Sequence, residues 1–436
     1  MPGYKRFAIL LVDGLSPMAL ERHLDAGKLP NLARYVKSGS YHGNVVASFP
    51  TVTGPAHVPL FAGINPASID LVAHNQYVRA TGRFENYLAQ YEKITEHLGD
   101  NKTLYHDFAD SAAVGEPVRA GASTYRRNPF SLADWAAIQG PANWYVLRTV
   151  AAELRHGRDF VVGWLHETDA FAHVSRDESL IARSLQQLDR WLPRLEQELG
   201  PDGVLCLCSD HGMERTDGRP FYIPTELRRA GIHRGSSKCY LDGGAFAQIY
   251  LQKDASFKAK LDEADLGKLP AHAVSWDAVD LVLCRRTPRG EVAVVRSKDG
   301  VASCRRLPGA TAGNTHYCYT VEEGSDPLRS AVDQPAAARF ATGATATECL
   351  TLTGGRDYPD AAYQLTELLA APSAGDLILT AAPGRTFNLL TRWGVHGGLR
   401  RSQSSTFLLF SKPVSGLDAP ALRTAALPSI VRANRA

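Results

Sequence analysis

Mostly apolar runs recur along the chain, and each ends in a polar turn or gives way to a helical pattern. The first covers residues 7–12, ends directly in Asp13-Gly14 and is followed by apolar positions at helical spacing. The others cover residues 160–165, 204–208, 376–381 and 405–410. A continuous apolar run is typical of a strand buried on both faces. Its alternation with helical patterns predicts an α/β fold with a mostly parallel central sheet and helices on both faces.

Two regions depart from this alternation. Residues 243–347 contain short strand-like runs separated by turn signals such as Pro288-Arg-Gly290, which indicates an inserted β-hairpin region. Residues 76–142 are rich in aromatic and turn-forming residues, and we expect this second insertion to lie over the functional site. The remaining pattern is that of a single domain over residues 1–436.

Composition and charge limit the classes of binding partner that we expect. With 436 residues, of which 44% are hydrophobic and 21% charged, the chain can bury a full core. The formal net charge is only +3, and no long basic run is present, so neither a nucleic-acid polymer nor a membrane surface is expected as partner. No run approaches the roughly 20 apolar residues that span a bilayer. The expected partner is a small molecule, and the sequence does not indicate an oligomeric state.

The cysteine pattern and the N-terminal sequence indicate the cellular compartment of the protein. Seven cysteines form an odd set without CxxC spacing, which argues against a disulfide framework and against a cysteine-based zinc site. The apolar run at residues 7–12 is too short for a signal peptide and reads as a core strand. These features predict a cytoplasmic protein.

The candidate chemistry lies where the predicted strands end, because open α/β sheets place their active sites beyond the carboxyl ends of the strands. Asp169 and His173 are four residues apart, so on a helix their side chains emerge on one face and can bind one ion. The polar residues after the strands, with one further histidine in a Gly-rich loop, are Asp13, Asp169, His173, Asp210, His211 and His396. Three carboxylates and three imidazoles suit Zn²⁺. Two zinc ions about 4 Å apart can bind both the attacking and the leaving oxygens of a phosphoryl displacement.

A nucleophile is expected in the loop Phe49-Pro-Thr-Val-Thr-Gly-Pro-Ala-His57, which offers Thr51 and Thr53. An alcohol is a weak nucleophile until its alkoxide is stabilised. Coordination of Thr53 by one zinc ion would provide this without a histidine base.

Taken in order, these motifs resemble the alkaline phosphatase superfamily, in particular its nucleotide pyrophosphatase/phosphodiesterase branch. The motifs are the strand into Asp13-Gly14, the Pro-Thr-x-Thr-x-Pro loop at residues 50–55, Asp169-x3-His173, Ser-Asp210-His211-Gly and Val-His396-Gly-Gly. They extend from residue 7 to about residue 410. The resemblance implies an alkaline phosphatase-like fold, two Zn²⁺ ions, and Thr53 as a nucleophile that forms a covalent phospho-threonine.

The resemblance also implies a role for each residue. Asp13, Asp210 and His211, with Thr53, correspond to the ligands of the zinc that activates the nucleophile. Asp169, His173 and His396 correspond to the ligands of the zinc on the leaving-group side. Asn75 corresponds to an asparagine whose amide binds a phosphoryl oxygen, with His74 and Gln76 as neighbours that could substitute. Gly54 stands where members that hydrolyse nucleotides often carry a base-stacking aromatic residue, which weakens nucleotide specificity unless Tyr77, Phe84 or Tyr87 supplies the stacking face.

Three functions follow from this interpretation. The first is a two-zinc phosphodiesterase or pyrophosphatase acting on a small phosphorylated metabolite. The second is a phosphomonoesterase or phosphonate hydrolase with the same site, and the third is a catalytically silent metal-binding scaffold. The intact set of Thr53 and six ligands counts against the scaffold. No arginine follows Thr53, so we expect a preference for diesters, with an ester group lying over Gly54.

Overall fold

The computed structural model describes residues 3–87, 90–129, 142–287, 290–307, 309, 315–330, 333–388 and 390–436. The first two residues of the expected turn at Pro288 to Gly290, and residues 88–89 and 130–141 of the expected insertion at 76–142, lie outside these ranges. No helix in the described ranges combines the length and the apolar character that crossing a bilayer requires.

Twenty strands are present in the described residues. They are β1 (Arg6–Val12), β2 (Ser40–Val46), β3 (Asn75–Val78), β4 (Arg83–Asn86), β5 (Ser111–Val114), β6 (Thr124–Arg126), β7 (Phe160–Leu165), β8 (Gly203–Cys208), β9 (Glu214–Arg215), β10 (Ser237–Asp242), β11 (Phe246–Leu251), β12 (Val279–Arg285), β13 (Val292–Arg296), β14 (Gly300–Leu307), β15 (His316–Gly324), β16 (Ala344–Thr345), β17 (Leu377–Ala381), β18 (Gly394–Val395), β19 (Ser405–Phe410) and β20 (Leu422–Arg423).

The helices of the described residues connect and flank these strands. They are α1 (Pro17–Asp25), α2 (Pro30–Ser38), α3 (Thr53–Ala62), α4 (Glu92–Leu98), α5 (Ala142–Arg155), α6 (Glu167–Val174), α7 (Glu178–Leu199), α8 (Ile223–Arg229), α9 (Glu263–Leu266), α10 (Leu269–Val274), α11 (Gln334–Thr342), α12 (Ala346–Thr353), α13 (Ala361–Ala370), α14 (Arg401–Ser404) and α15 (Leu427–Ala433). Four short 3-10 helices cover Pro66–Ile69, Leu104–Asp107, Arg234–Ser236 and Thr424–Ala426.

The central sheet has eight strands in the order β20-β2-β19-β8-β1-β7-β5-β6. Strands β8, β1, β7, β5 and β6 are parallel to their neighbours in this series, whereas β19 is antiparallel to both β8 and β2. Alternate residues of β1 belong to different cores: Ile9 packs with residues of α3 and α15, and Leu10 packs with residues of α2, α5 and α7. The predicted α/β fold with helices on both faces is therefore confirmed.

A second sheet of eight strands has the order β10-β11-β17-β12-β13-β14-β15-β16, and its pairs are antiparallel. Its β17 corresponds to the run at residues 376–381, so the assignment of that run to the parallel sheet is wrong. The physical reason is that a continuous apolar run reports burial on both faces and carries no information on strand direction. Each face of β17 is covered, with Ile378 in one core and Leu379 in another.

Candidate metal centre

Three strand ends of the central sheet meet at the candidate site. Asp13 directly follows β1, Asp210 and His211 follow β8 after Ser209, and α6 carries Asp169 just after β7. These strands are neighbours in the order β8-β1-β7, so their carboxyl ends lie side by side. Gly14 makes the turn after β1 with φ +66°, and a Cβ atom there would lie 3.0 Å from the Asp169 Cβ. The sharp turn therefore needs both the conformational freedom and the small size of glycine.

One ligand group consists of Asp169, His173 and His396. The His173 and His396 Nε2 atoms are 3.1 Å apart, and they lie 3.4 Å and 3.5 Å from Asp169 Oδ1. Asp169 and His173 share a face of α6 because they are four residues apart, whereas His396 reaches the group from the loop after β18. All three side chains are buried. The structure therefore brings together the three residues that the resemblance assigns to one metal ion.

A second group surrounds Thr53, which is the first residue of α3. The His211 Nε2 lies 3.3 Å from Thr53 Oγ1, 3.4 Å from Asp13 Oδ1 and 3.3 Å from Asp210 Oδ2. Donor atoms of Asp13, Asp169 and His211 all lie within 4.8 Å of one another. Because Asp169 also belongs to the first group, the two candidate centres are adjacent.

The hydrogen bonds of the three histidines leave the converging nitrogens free to coordinate. Each Nδ1 is next to a backbone carbonyl, which can only accept: His173 donates to Gly394 over 2.7 Å, His396 to Thr51 over 2.8 Å, and His211 to Gly212 over 2.9 Å. The proton is thereby held on Nδ1, and Nε2 keeps its lone pair. Such a bond from the second ring nitrogen is typical of histidines that bind metals.

The carboxylates of the site are short of partners. Asp13 Oδ1, Asp169 Oδ1 and Asp210 Oδ2 are buried and accept no hydrogen bond from a described residue. Burial, with the charges of Asp210 and Asp169, raises the pKa of Asp13 well above its usual range. Burial and the neighbouring His211 lower the pKa of His396 well below its usual range, so its ring is neutral. Unsatisfied buried carboxylates beside the neutral His396 ring fit a bound divalent cation, which would supply the missing positive charge.

The two threonines of the loop differ in what their hydroxyls do. Thr51 Oγ1 donates to the Gly398 carbonyl over 2.8 Å and accepts from the Gly397 N–H over 3.0 Å, and Thr51 is completely buried. Its hydroxyl therefore holds the loop that carries His396. The Thr53 hydroxyl instead faces His211 and lines a cavity of about 480 Å³.

Two supporting contacts were not found from the sequence. The Trp164 Nε1–H donates to Asp13 Oδ2 over 2.8 Å. His57 lies between two buried carboxylates, with Nδ1 3.0 Å from Glu116 Oε1 and Nε2 3.4 Å from Asp210 Oδ2. Burial alone would lower the pKa of His57, but Glu116 and Asp210 outweigh it and raise the pKa to about 9.

A sequence signal existed for both contacts. Glu116 comes just after β5 at the same edge of the sheet, but Ser-Ala-Ala-Val is too short and weakly apolar to be read as a strand. Trp164 carries an N–H donor within an otherwise apolar buried strand, where such a group usually has a polar partner.

The cavity is also lined by Asn75 and by residues at the end of β10. The Asn75 Nδ2 donates to Asp242 Oδ1 over 2.6 Å and to the Leu241 carbonyl over 3.3 Å. The Asn75 amide thus lies at the cavity, but its NH₂ group already donates to two acceptors of the protein. Burial raises the pKa of Asp242 to about 8.

Gly54 is not among the residues that line this cavity. A Cβ atom at position 54 would lie 2.8 Å from Ile94 Cδ1 and 3.1 Å from His74 Cδ2. The Gly54 N–H donates to His74 Nε2 over 2.6 Å. The side chains of His74 and Ile94 thus lie where a side chain at position 54 would begin, and the expectation of an ester group over Gly54 stays a prediction.

Comparisons with known proteins agree with this architecture. Among the solved structures that share the fold are two kinds of protein. A phosphonoacetate hydrolase from Sinorhizobium meliloti 1021, solved in complex with phosphonoacetate, has a TM-score of 0.62 and 16% identity, covering 99% of this chain and 96% of that chain. The murine ectonucleotide pyrophosphatase/phosphodiesterase 5 has a TM-score of 0.57 and 14% identity, with coverages of 98% and 94%. The human protein of the same name has a TM-score of 0.56 and 13% identity, with coverages of 98% and 93%.

Comparison with curated proteins gives no match. The family model described as type I phosphodiesterase / nucleotide pyrophosphatase matches residues 7–303, which is more than half of the chain. The chain therefore belongs to the type I phosphodiesterase / nucleotide pyrophosphatase family, and it is an enzyme of the phosphoric ester hydrolase class.

Proposed function

We propose that this enzyme is a two-zinc phosphodiesterase or pyrophosphatase that acts on a small phosphorylated metabolite with Thr53 as nucleophile. The observation that carries the proposal is the position of the Thr53 hydroxyl. It lies 3.3 Å from His211 Nε2, beside buried carboxylate oxygens that accept no hydrogen bond from a described residue, and it faces the cavity.

The proposed ligands divide into two sets. Asp13, Asp210, His211 and the Thr53 oxygen would hold one zinc ion, and Asp169, His173 and His396 would hold the other. When bound, the two ions lower the pKa of the threonine hydroxyl and stabilise negative charge on the leaving oxygen. Three imidazole nitrogens among the donors suit zinc better than magnesium or calcium, which prefer oxygen ligands alone.

In the reaction, the Thr53 hydroxyl releases its proton to solvent, its oxygen attacks phosphorus, and the bond from phosphorus to the leaving alcohol or phosphate oxygen breaks. The leaving oxygen takes a proton from solvent. Water then attacks the phospho-threonine, the bond between phosphorus and the Thr53 oxygen breaks, and the hydroxyl is restored as the phosphorylated product departs. The chain's own residues bury Thr53 at the helix start and keep Thr51, bonded to Gly397 and Gly398, from competing.

A second candidate function is hydrolysis of a phosphonate carbon–phosphorus bond at the same site. It is supported by the shared fold with the hydrolase that was solved with phosphonoacetate. In that reaction the bond between phosphorus and carbon would break. The leaving carbon atom would then take a proton from solvent, as the leaving oxygen atom does in ester hydrolysis.

The experiment is kcat/KM of the zinc-loaded enzyme for matched aryl phosphate diesters and monoesters, a dinucleotide and phosphonoacetate. We expect the diester to exceed the monoester by at least about tenfold, which corresponds to about 1.4 kcal/mol in the transition state. A monoester preference of the same size would contradict the diesterase proposal, and turnover of phosphonoacetate alone would favour the second candidate.

The variants Thr53→Ala and Thr51→Ser form a matched pair. Thr53→Ala should lower kcat by at least about a thousandfold while zinc content stays near two ions per chain, because the nucleophile is lost but the other ligands remain. Thr51→Ser keeps the hydroxyl that bonds the His396 loop, and its activity should stay within about tenfold of the wild type. An active Thr53→Ala enzyme would rule out the proposed nucleophile.

A further inference from the structure

Among the described residues, one cationic side chain lines the cavity beside the candidate metal centre and has no acidic partner there. Arg392 is the only arginine or lysine among the described residues that line it. No described residue accepts a hydrogen bond or forms an ion pair with its guanidinium, although its backbone carbonyl accepts a hydrogen bond from Thr216 Oγ1.

The backbone around Arg392 is fixed. The Thr216 N–H donates to the Trp393 carbonyl over 3.0 Å, and the Trp393 N–H donates to the His173 carbonyl over 3.0 Å. The guanidinium of Arg176 lies over the Trp393 ring at 3.7 Å from its centre. These contacts anchor Arg392 next to the group of Asp169, His173 and His396, on the side assigned to the leaving group.

Nearby arginines in the described chain have partners. Arg400, only four residues after His396, bonds to Glu214 over 3.1 Å. Arg215 donates to the Ser175 carbonyl over 2.9 Å. Arg392 is half-buried at the cavity wall and remains uncommitted. An arginine held in place without an acceptor is suited to bind a carboxylate or a phosphate through two parallel hydrogen bonds.

Charge compensation of the acidic site is the competing explanation. Asp169 and Asp242 do act on Arg392 by favouring its charged form, against the effect of burial, which lowers its pKa. Neither carboxylate, however, is in hydrogen-bond contact with the guanidinium. Asp242 already accepts hydrogen bonds from Asn75, and Asp169 belongs to the donor group that is proposed to hold a metal ion. The guanidinium is therefore available to a ligand.

We propose that Arg392 binds a second anionic group of the substrate, a carboxylate or a phosphate, attached to the leaving-group side of the reacting phosphoryl group. This proposal rests on the proposed function in one respect, which is that the reacting phosphoryl group binds at the candidate metal centre. The cavity of about 480 Å³ limits the ligand to a small metabolite.

The test is calorimetric binding of three alkylphosphonates of equal chain length to zinc-loaded enzyme. One ends in a carboxylate, one in a second phosphonate and one in a neutral carboxamide. The wild type should bind at least one of the two anionic ligands at least about tenfold more tightly than the carboxamide. The difference in affinity between the carboxylate ligand and the second-phosphonate ligand shows which anion fits the subsite. In Arg392→Gln this preference should fall to within about threefold, with zinc content and melting temperature close to the wild type.

Two further variants separate charge from structure. Arg392→Lys should keep part of the preference because it keeps the charge but loses the planar fork. Arg219→Gln is the matched control, since its side chain is largely exposed beside Asp217, and it should keep the full preference. An unchanged preference in Arg392→Gln, or an equal loss in Arg219→Gln, would overturn the proposal.

Binding needs no turnover, so the two proposals fail in different ways. Arg392-dependent preference in an enzyme that turns over no phosphoester would support the anion subsite and contradict the proposed reaction. Turnover of diesters without any Arg392-dependent preference would contradict the subsite alone.

Discussion

The hydrogen bond from Trp164 to Asp13 gives a quantitative test of the metal centre. It is 2.8 Å long and is the one hydrogen bond that the Asp13 carboxylate accepts from a described residue, because Oδ1 accepts none. Trp164→Phe removes the donor and keeps an aromatic ring against His57 and Tyr91. A hydrogen bond to a buried charged group contributes about 1.5–3 kcal/mol. Since about 1.4 kcal/mol is tenfold in affinity, zinc should bind about 10–100-fold more weakly, as is usual when an outer partner of a metal ligand is lost.

The matched control is Trp276→Phe. Trp164 and Trp276 are both 6% exposed, but the Trp276 Nε1–H has no acceptor among the described residues and its ring belongs to the core of the second sheet. Both variants lose the same side-chain volume, and Trp164→Phe should lose further stability because the buried Asp13 carboxylate loses its donor. Competition of each protein with a chromogenic chelator measures zinc affinity. Zinc affinity within twofold of the wild type in Trp164→Phe, or an equal loss in Trp276→Phe, would refute the reasoning.

The other predictions concern packing, pH and metal removal. Gly54→Ala should destabilise the enzyme by about 1–3 kcal/mol in urea unfolding, because the new Cβ would lie 2.8 Å from Ile94 Cδ1, and adding Ile94→Val should restore part of the loss. The folded pKa of Asp242, about 8, lies above its usual value of 3.8, so ionisation destabilises the folded state increasingly from about pH 4 to pH 8; the stability of metal-free Asp242→Asn relative to the wild type should rise over that window. Chelation should lower the melting temperature, and zinc at about 100 times its dissociation constant should restore about 2.7 kcal/mol.

The sequence predicted the part of the fold that depends on burial. The runs at residues 7–12, 160–165, 204–208 and 405–410 are strands of the central sheet, because strands covered on both faces need continuous apolar residues. Strand direction and partner are decided by contacts far apart along the chain. β17 therefore joined the antiparallel sheet against the expectation, pairing with β11 and β12.

In the candidate site, too, local sequence features could be predicted and contacts between distant segments could not. Residues directly after strong strands were visible in the sequence, and the structure brings Asp13, Asp169 and His211 together. Partners from distant segments were not visible: Asp242, which engages the Asn75 amide, lies 167 residues away in the second sheet. The missing side chain at Gly54 was interpreted as open space, whereas His74 and Ile94 lie where such a side chain would begin.

The central claim is that Thr53 becomes covalently phosphorylated during turnover. The most direct measurement is an acid-quenched single turnover of the zinc-loaded enzyme with an aryl diester, followed by peptide mapping by mass spectrometry. The account predicts the substrate's phosphoryl group on Thr53, at a level that rises and then decays with turnover, and its absence in Thr53→Ala. Turnover with no phosphorylated peptide, or with the group on Thr51 or on a histidine, would contradict it.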